Sequence, residues 1–137
     1  MVNLVFVDTS ALMALLDADD PRQAEVVAAF AARRDDALVT HGYIVAESLA
    51  VVRRRFGVEG TVTLLDDVLP PIAVLQIDPD LHDVAQRAYR SSLPSGTSFV
   101  DQVSLQVISR EGISVALALD PDLSTPGVTL FPQTPGS

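Results

Sequence analysis

A parallel α/β sheet in three layers is the architecture this sequence predicts. Three features carry that expectation. Short, almost wholly apolar runs of strand length recur along the chain, stretches of helical period lie between them, and glycine or proline marks several of the junctions. Val2–Val7, apolar except for Asn3, reads as a first buried strand. Ser10–Asp17 reads as a short helix, and Pro21 opens a second, alanine-rich helix to about Arg34, with proline in the first turn where it is tolerated. Ala37–Thr40 is a short strand. Gly42–Phe56 is a strong helix stopped by Gly57, and Val58–Leu69 is a weaker one ended by Pro70-Pro71. Ile72–Ile77 is a second buried strand, Pro79–Ser91 a helix, and Leu93–Thr97 a loop built on Pro94 and Gly96. Ser98–Arg110 is a helix ended by Glu111-Gly112, Ile113–Leu119 a third buried strand, and Val128–Phe131 a last short one. With no internal boundary and no low-complexity segment, the expectation is one domain over 1–131 and a flexible tail over 132–137.

Composition removes several classes of function. At 137 residues, with 48% hydrophobic and 20% charged residues, the chain can bury a core and is not intrinsically disordered. It has no cysteine, so disulfides, zinc–thiolate sites, iron–sulfur clusters and cysteine nucleophiles are excluded. Its nine basic residues are all arginine, and the absence of lysine excludes P-loop NTPases, Schiff-base enzymes and lysine-dependent phosphotransfer sites. Eighteen acids give a net charge of −9, which leaves no uniformly basic face for nucleic acid. No apolar run approaches the ~20 residues of a spanning helix, and no basic stretch precedes the first one, so a cytoplasmic protein without membrane contact is expected.

Most of the acids need no function. Asp17, Asp19, Asp20, Asp35, Asp36, Asp66 and Asp67 fall at helix ends and loops, where solvated carboxylates are ordinary. Glu47 is different. It is the only charge between Gly42 and Val52, and its neighbours at helical spacing are Tyr43, Ile44, Ala50 and Val51. A glutamate on such a face shifts its pKa, pairs with a cation or binds a metal. Asp8 ends the first strand, where ligands collect in an open parallel sheet, although a helix N-cap explains it equally well. Asp101 fits a capping box, Ser98-Phe99-Val100-Asp101, yet its next helical neighbours Leu105 and Ile108 look inward. Asp120 ends the third strand before Pro121. Asp78, in the same four-residue context Asp-Pro-Asp-Leu, is an internal control, and local pattern does not choose between them. Asp122 is a further candidate just beyond.

The combination says more than any member. Two apolar strands end in aspartate and two helices carry a carboxylate on an inward face. If these converged at one sheet edge they would repel, and a hard divalent cation such as Mg²⁺ or Mn²⁺ resolves that repulsion. Such a site can activate water and stabilise an in-line phosphoryl transition state. His41, between a strand and Gly42, and His82, beside Asp83, read as surface residues without a second ligand at metal spacing. No Gly-x-Ser-x-Gly elbow is present, which argues against a serine hydrolase.

Four segments together resemble the motifs of PIN-domain nucleases, and most nearly the VapC-type toxins of toxin–antitoxin pairs. They are Val7-Asp8-Thr9-Ser10-Ala11-Leu12, Val45-Ala46-Glu47-Ser48-Leu49, Ser98 to Leu105, and Ala118-Leu119-Asp120-Pro121-Asp122-Leu123. Their order and spacing cover essentially the whole chain. The resemblance implies a PIN-like fold and a Mg²⁺-dependent endoribonuclease, with Mn²⁺ as a substitute. It carries over Asp8, Glu47, Asp101 and Asp120 as the acidic cluster, with Asp8 and Asp101 as metal ligands. The hydroxyls of Thr9 or Ser10 become candidates to hold waters or the scissile phosphate. The fourth motif departs from the family pattern. Ala118 stands where Thr or Ser is common and Leu123 where an aromatic is common, which leaves Asp120, Asp122 or neither to complete the site. Asp78 has no counterpart among the four motifs.

The same resemblance implies an RNA substrate, a small cognate antitoxin and a homodimer. In so acidic a chain, Arg53-Arg54-Arg55, one to two turns after Glu47, is the best local candidate for contact with an RNA backbone, a solvated helix end being its ordinary alternative. A second reading is a PIN-like interaction module with a weak site, binding RNA or a partner protein without cutting it.

Overall fold

The computed structural model describes residues 3–133. Five strands form one sheet: β1 (Leu4–Val7), β2 (Ala37–His41), β3 (Ala73–Leu75), β4 (Val115–Leu117) and β5 (Thr129–Phe131). Their spatial order is β3-β2-β1-β4-β5, and every neighbouring pair is parallel. Five helices connect them: α1 (Thr9–Leu16), α2 (Gln23–Ala32), α3 (Gly42–Thr63), α4 (Pro79–Ser91) and α5 (Phe99–Glu111). This is the predicted α/β architecture.

Position in the sheet explains the residue types. β1 is central, pairing β2 on one side and β4 on the other, and Val5, Phe6 and Val7 are fully buried. A strand covered on both faces reads as a continuous apolar run, which is why it was legible. Against it pack Ala11, Leu12 and Ala14 of α1, Val26 of α2, Ile44 and Val52 of α3 and Val103 and Val107 of α5. Full burial of Phe6 or Leu12 contributes roughly 1.5–3 kcal/mol each.

The connections decide where a site can form. From β1 the chain moves outward in one direction, through β2 to β3. It then crosses back through α4 and α5 to place β4 on the other side of β1. The direction of winding therefore reverses between β1 and β4. In open parallel sheets this switch point opens a crevice at the carboxyl ends of the strands.

Several elements differ from their sequence expectation. The paired strands are shorter than the apolar runs: Ile72 and Ile113 are buried but lie outside β3 and β4. The second helix starts at Gln23 rather than Pro21, which sits in the preceding turn where Asp20 Oδ1 accepts from Arg22 N (2.8 Å). Pro94 lies in a 3₁₀ turn, Leu93–Ser95. The weaker helix expected after Gly57 is present, helical beyond the kink to Thr63, but its last part is a π-helical turn, Leu64–Val68. Val2 and residues 134–137 of the expected tail lie outside the described residues, while Arg22 Nη2 donates to the carbonyls of Pro132 (3.4 Å) and Gln133 (2.8 Å).

Gly57 is the break in α3, with φ 69° and ψ −158°, a region open essentially to glycine alone. Nothing lies within 4 Å of a Cβ built there, so backbone strain alone sets the cost of a side chain. Gly57→Ala is expected to lower stability by about 1–3 kcal/mol, read from urea denaturation.

Candidate active site

Asp8 follows the central strand directly. Its N–H donates to the carbonyl of Leu117 (3.0 Å), continuing the β1–β4 pairing by one residue, and it caps α1. Its Oδ2 accepts from Ser10 N (3.1 Å) and from the Ser10 hydroxyl. That hydroxyl in turn accepts from Leu119 N (2.9 Å) and Asp120 N (3.3 Å). Ser10 thus ties the end of β1 to the segment after β4. Asp120 caps a 3₁₀ turn, Pro121–Leu123, its Oδ1 accepting from Asp122 N (2.9 Å). Asp101 stands in the first turn of α5, where Ser98 Oγ caps the helix by accepting from Asp101 N (3.0 Å). Glu47 is half-buried on α3.

These four acids come from four separate parts of the chain, and they line one open cleft of about 370 Å³. Its other lining residues are Thr9, Ser10, Gly96, Ser98 and Asp122. No arginine or histidine is among them. Carboxylate oxygens of Asp101, Asp120 and Asp122 lie within 4.8 Å of one another. Asp8 is only 3% exposed and Asp101 8%. Burial pushes the Asp8 carboxyl up, partly offset by the Ser10 hydrogen bonds, and the charge of Asp120 adds to the rise. Asp101 is pushed up to about 7, first by burial, then by the charges of Asp120 and Asp8. The arrangement is all-oxygen, crowded and without a protein cation. It fits a hard divalent ion, which would neutralise the repulsion that adds to the effect of burial on both carboxyls.

Two predicted contacts separate at this point. Thr9 Oγ1 is buried with no protein partner among the described residues, and could hold a water or a phosphate. Ser10 lines the cleft with its hydroxyl already engaged: its proton is used on Asp8 and its oxygen on two backbone N–H groups. Arg53, Arg54 and Arg55 are exposed on α3 and none lines the cleft. Arg55 pairs with Asp17 (3.1 Å) and lies over Phe56 (4.9 Å). Asp78 lies outside the cleft as well: it caps α4 through Leu81 N (2.8 Å), pairs with Arg110, and is held below the usual carboxylate range by these contacts.

His41 overturns its sequence reading. It is not a surface residue but fully buried, and it caps α3 with Nδ1, which accepts from Tyr43 N (3.2 Å) and Ile44 N (3.4 Å). The available signal was positional: His41 stands at a strand end before a helix, as Asp8 and Asp78 do. His82 is half-buried and its Nδ1 is bonded to the Tyr43 hydroxyl (2.7 Å).

A parallel sheet whose switch point holds five carboxylates, with no counter-charge among the described residues lining it, defines an α/β protein with a candidate divalent-cation site. Comparison gives the family. The PIN domain family matches residues 5–127, and the chain belongs to that family. The structure is similar to VapC20 of Mycobacterium tuberculosis, described as a sarcin–ricin loop cleaving toxin. That likeness has a TM-score of 0.81 and 27% identity, over 91% of this chain and 96% of that one. The fold is shared with FitAcB of Neisseria gonorrhoeae (TM-score 0.68, 16% identity, 93% of this chain and 96% of that one). It is shared too with DNA-bound VapBC of Salmonella typhimurium (TM-score 0.62, 14% identity, 95% and 97%). No curated protein matches the sequence. PIN-domain proteins of the VapC type are nucleases, and the acid-lined cleft is in keeping with that class.

Proposed function

We infer that this protein is a Mg²⁺-dependent endoribonuclease and the toxin of a toxin–antitoxin pair. One observation carries the reading: Asp8, Glu47, Asp101 and Asp120, far apart in sequence, line a single cleft with no basic residue in it. The likeness to VapC20, a toxin that cleaves an RNA loop, supports RNA as the substrate. In this reading Asp8, Asp101 and Asp120 hold the cation, with Asp122 joining them from the same turn. A cation held there would supply charge neutralisation at the scissile phosphate and acidify water. Glu47 orients the attacking water, and the Thr9 hydroxyl holds a non-bridging phosphate oxygen or a water. Ser10 keeps Asp8 and Asp120 in register and Ser98 fixes the turn that presents Asp101.

The partners follow from the same reading. An acidic cleft accepts a basic side chain, so a small antitoxin would block it by inserting one. VapBC of Salmonella typhimurium, a related complex, supports such a partner. Val58, Val62 and Leu65, 62%, 49% and 47% exposed and spaced at helical intervals, support a homodimer along that face. Arg53 and Arg54, exposed and without an ion-pair partner among the described residues, are the cations of the run left for an RNA backbone. Among the described residues no helix is long and apolar enough to cross a membrane, and a cytoplasmic site of action fits an RNA substrate.

The test is digestion of total RNA by purified protein in Mg²⁺, with EDTA and Asp8→Asn as controls. Discrete fragments that disappear with EDTA and with Asp8→Asn are expected. Cleavage by Asp8→Asn at the parent rate would remove Asp8 from the site.

A further inference from the structure

His41 does more than end a helix. Ser, Thr, Asp and Asn are the side chains that ordinarily cap an N-terminus, and each is short. A histidine capping with Nδ1 has a second ring nitrogen on its far side. Here Nε2 lies 2.9 Å from the hydroxyl of Ser104, which is fully buried on α5. Because Nδ1 accepts two backbone N–H groups, the proton must reside on Nε2, so His41 donates to Ser104 Oγ. Burial keeps the ring neutral by lowering its pKa to about 4. The ring also packs against Phe6 of β1 (centroids 5.9 Å) and Tyr43 (5.8 Å), which fixes its orientation.

The two helices joined by this ring are the ones that carry Glu47 and Asp101. Ser104 lies one turn after Asp101, and Glu47 begins the second turn beyond the His41 cap. Besides the ring, Tyr43 of α3 packs on Phe99 of α5 (6.0 Å). A Ser or Thr cap would satisfy the α3 N-terminus but could not reach α5.

We propose that His41 is a positioning residue: its bridge from the α3 N-terminus to Ser104 sets the separation of Glu47 and Asp101 across the cleft. The proposal rests on the cation-binding reading of that cleft. It says which residues, none of them touching a cation, hold its two helical walls in place. Residues that support ligands in this way commonly change metal affinity when replaced, although they leave the ligands intact.

The experiment is calorimetric titration of the cation-free protein with Mn²⁺, for the parent and three variants. Ser104→Ala removes only the far bond. His41→Asn keeps a good cap but is too short to reach α5. Asp78→Ala removes the α4 cap and its ion pair with Arg110 in the last turn of α5, at the end of that helix opposite Asp101, and reports the effect of lost stability away from the cleft. Mn²⁺ affinity is expected to fall about tenfold in Ser104→Ala and at least that in His41→Asn. It should be unchanged in Asp78→Ala, although that variant melts lower. Parent-like affinity in a folded Ser104→Ala would overturn the proposal and leave the cation site standing. A parent that binds no Mn²⁺ would overturn the cation-binding reading and the proposal with it.

Discussion

Asp101→Asn is expected to lower RNA cleavage by roughly a thousandfold while making the cation-free protein more stable. The loss follows from the proposed role of Asp101 as a charged cation ligand, whose contribution to transition-state stabilisation would be several kcal/mol. The gain follows from the price of keeping a buried charge among others. Folded Asp101 has its pKa raised from 3.8 to about 7 by burial and by the charges of Asp120 and Asp8. Between those two values the folded state holds a proton that the unfolded state has lost, so stability falls as pH rises through that window. Above about 7 the full cost is present, and asparagine, which keeps the shape and the Ser98 cap, does not carry it. At pH 8 in EDTA the variant should exceed the parent by about 1–3 kcal/mol in urea denaturation, allowing for relaxation around the charge. The advantage should fade towards pH 4, where the folded parent is protonated too. A variant no more stable than the parent at pH 8 would show that Asp101 does not sit in a repelling cluster.

Cation affinity of the parent should climb with pH, about tenfold per unit below 7, and level off above it. If Asp101 is a ligand as proposed, the cation and the proton compete for its raised carboxyl, and binding should release a proton measurable in weakly buffered solution. At a hundred times its dissociation constant the cation should stabilise the fold by about 2.7 kcal/mol. Stability alone is a poorer probe of this pH dependence. His41 is lowered from 6.5 to about 4, so between those values the unfolded state gains a proton that the folded state refuses. Its contribution rises with pH where that of Asp101 falls, and the two oppose each other over most of that range. An affinity that does not change between pH 5 and 8 would exclude Asp101 as a ligand.

The architecture was legible because burial on both faces writes itself into sequence. The apolar runs at Val2–Val7, Ile72–Ile77 and Ile113–Leu119 each contain a parallel strand, and Pro79–Ser91 is a helix at both expected ends. The runs overstate the strands because burial sets residue type, whereas pairing sets the strand: Ile72 and Ile113 are buried without belonging to the ladder. The convergence of Asp8, Glu47, Asp101 and Asp120 was legible in part from charges in apolar settings, and in part from their family resemblance. Asp78 shows the limit of local pattern. It shares Asp-Pro-Asp-Leu with Asp120, yet it ends beside Arg110 and outside the cleft. His41 was read wrongly, and the bonds that engage Ser10 were not legible, because the decisive partners are distant in sequence. Ser10 bonds the backbone of Leu119 and Asp120, and His41 bonds Ser104. No windowed pattern carries such pairings. Gly57 shows the converse, since a purely local signal announced both the break in α3 and the helix that resumes beyond it.

Diffraction from crystals soaked in Mn²⁺, with the anomalous signal used to locate the ion, tests the central claim most directly. An ion is expected in the cleft within coordination distance of Asp8, Asp101 and Asp120, and is expected to be lost in crystals of Asp101→Asn. An ion bound only elsewhere, or a cleft that stays empty at saturating Mn²⁺, would contradict it.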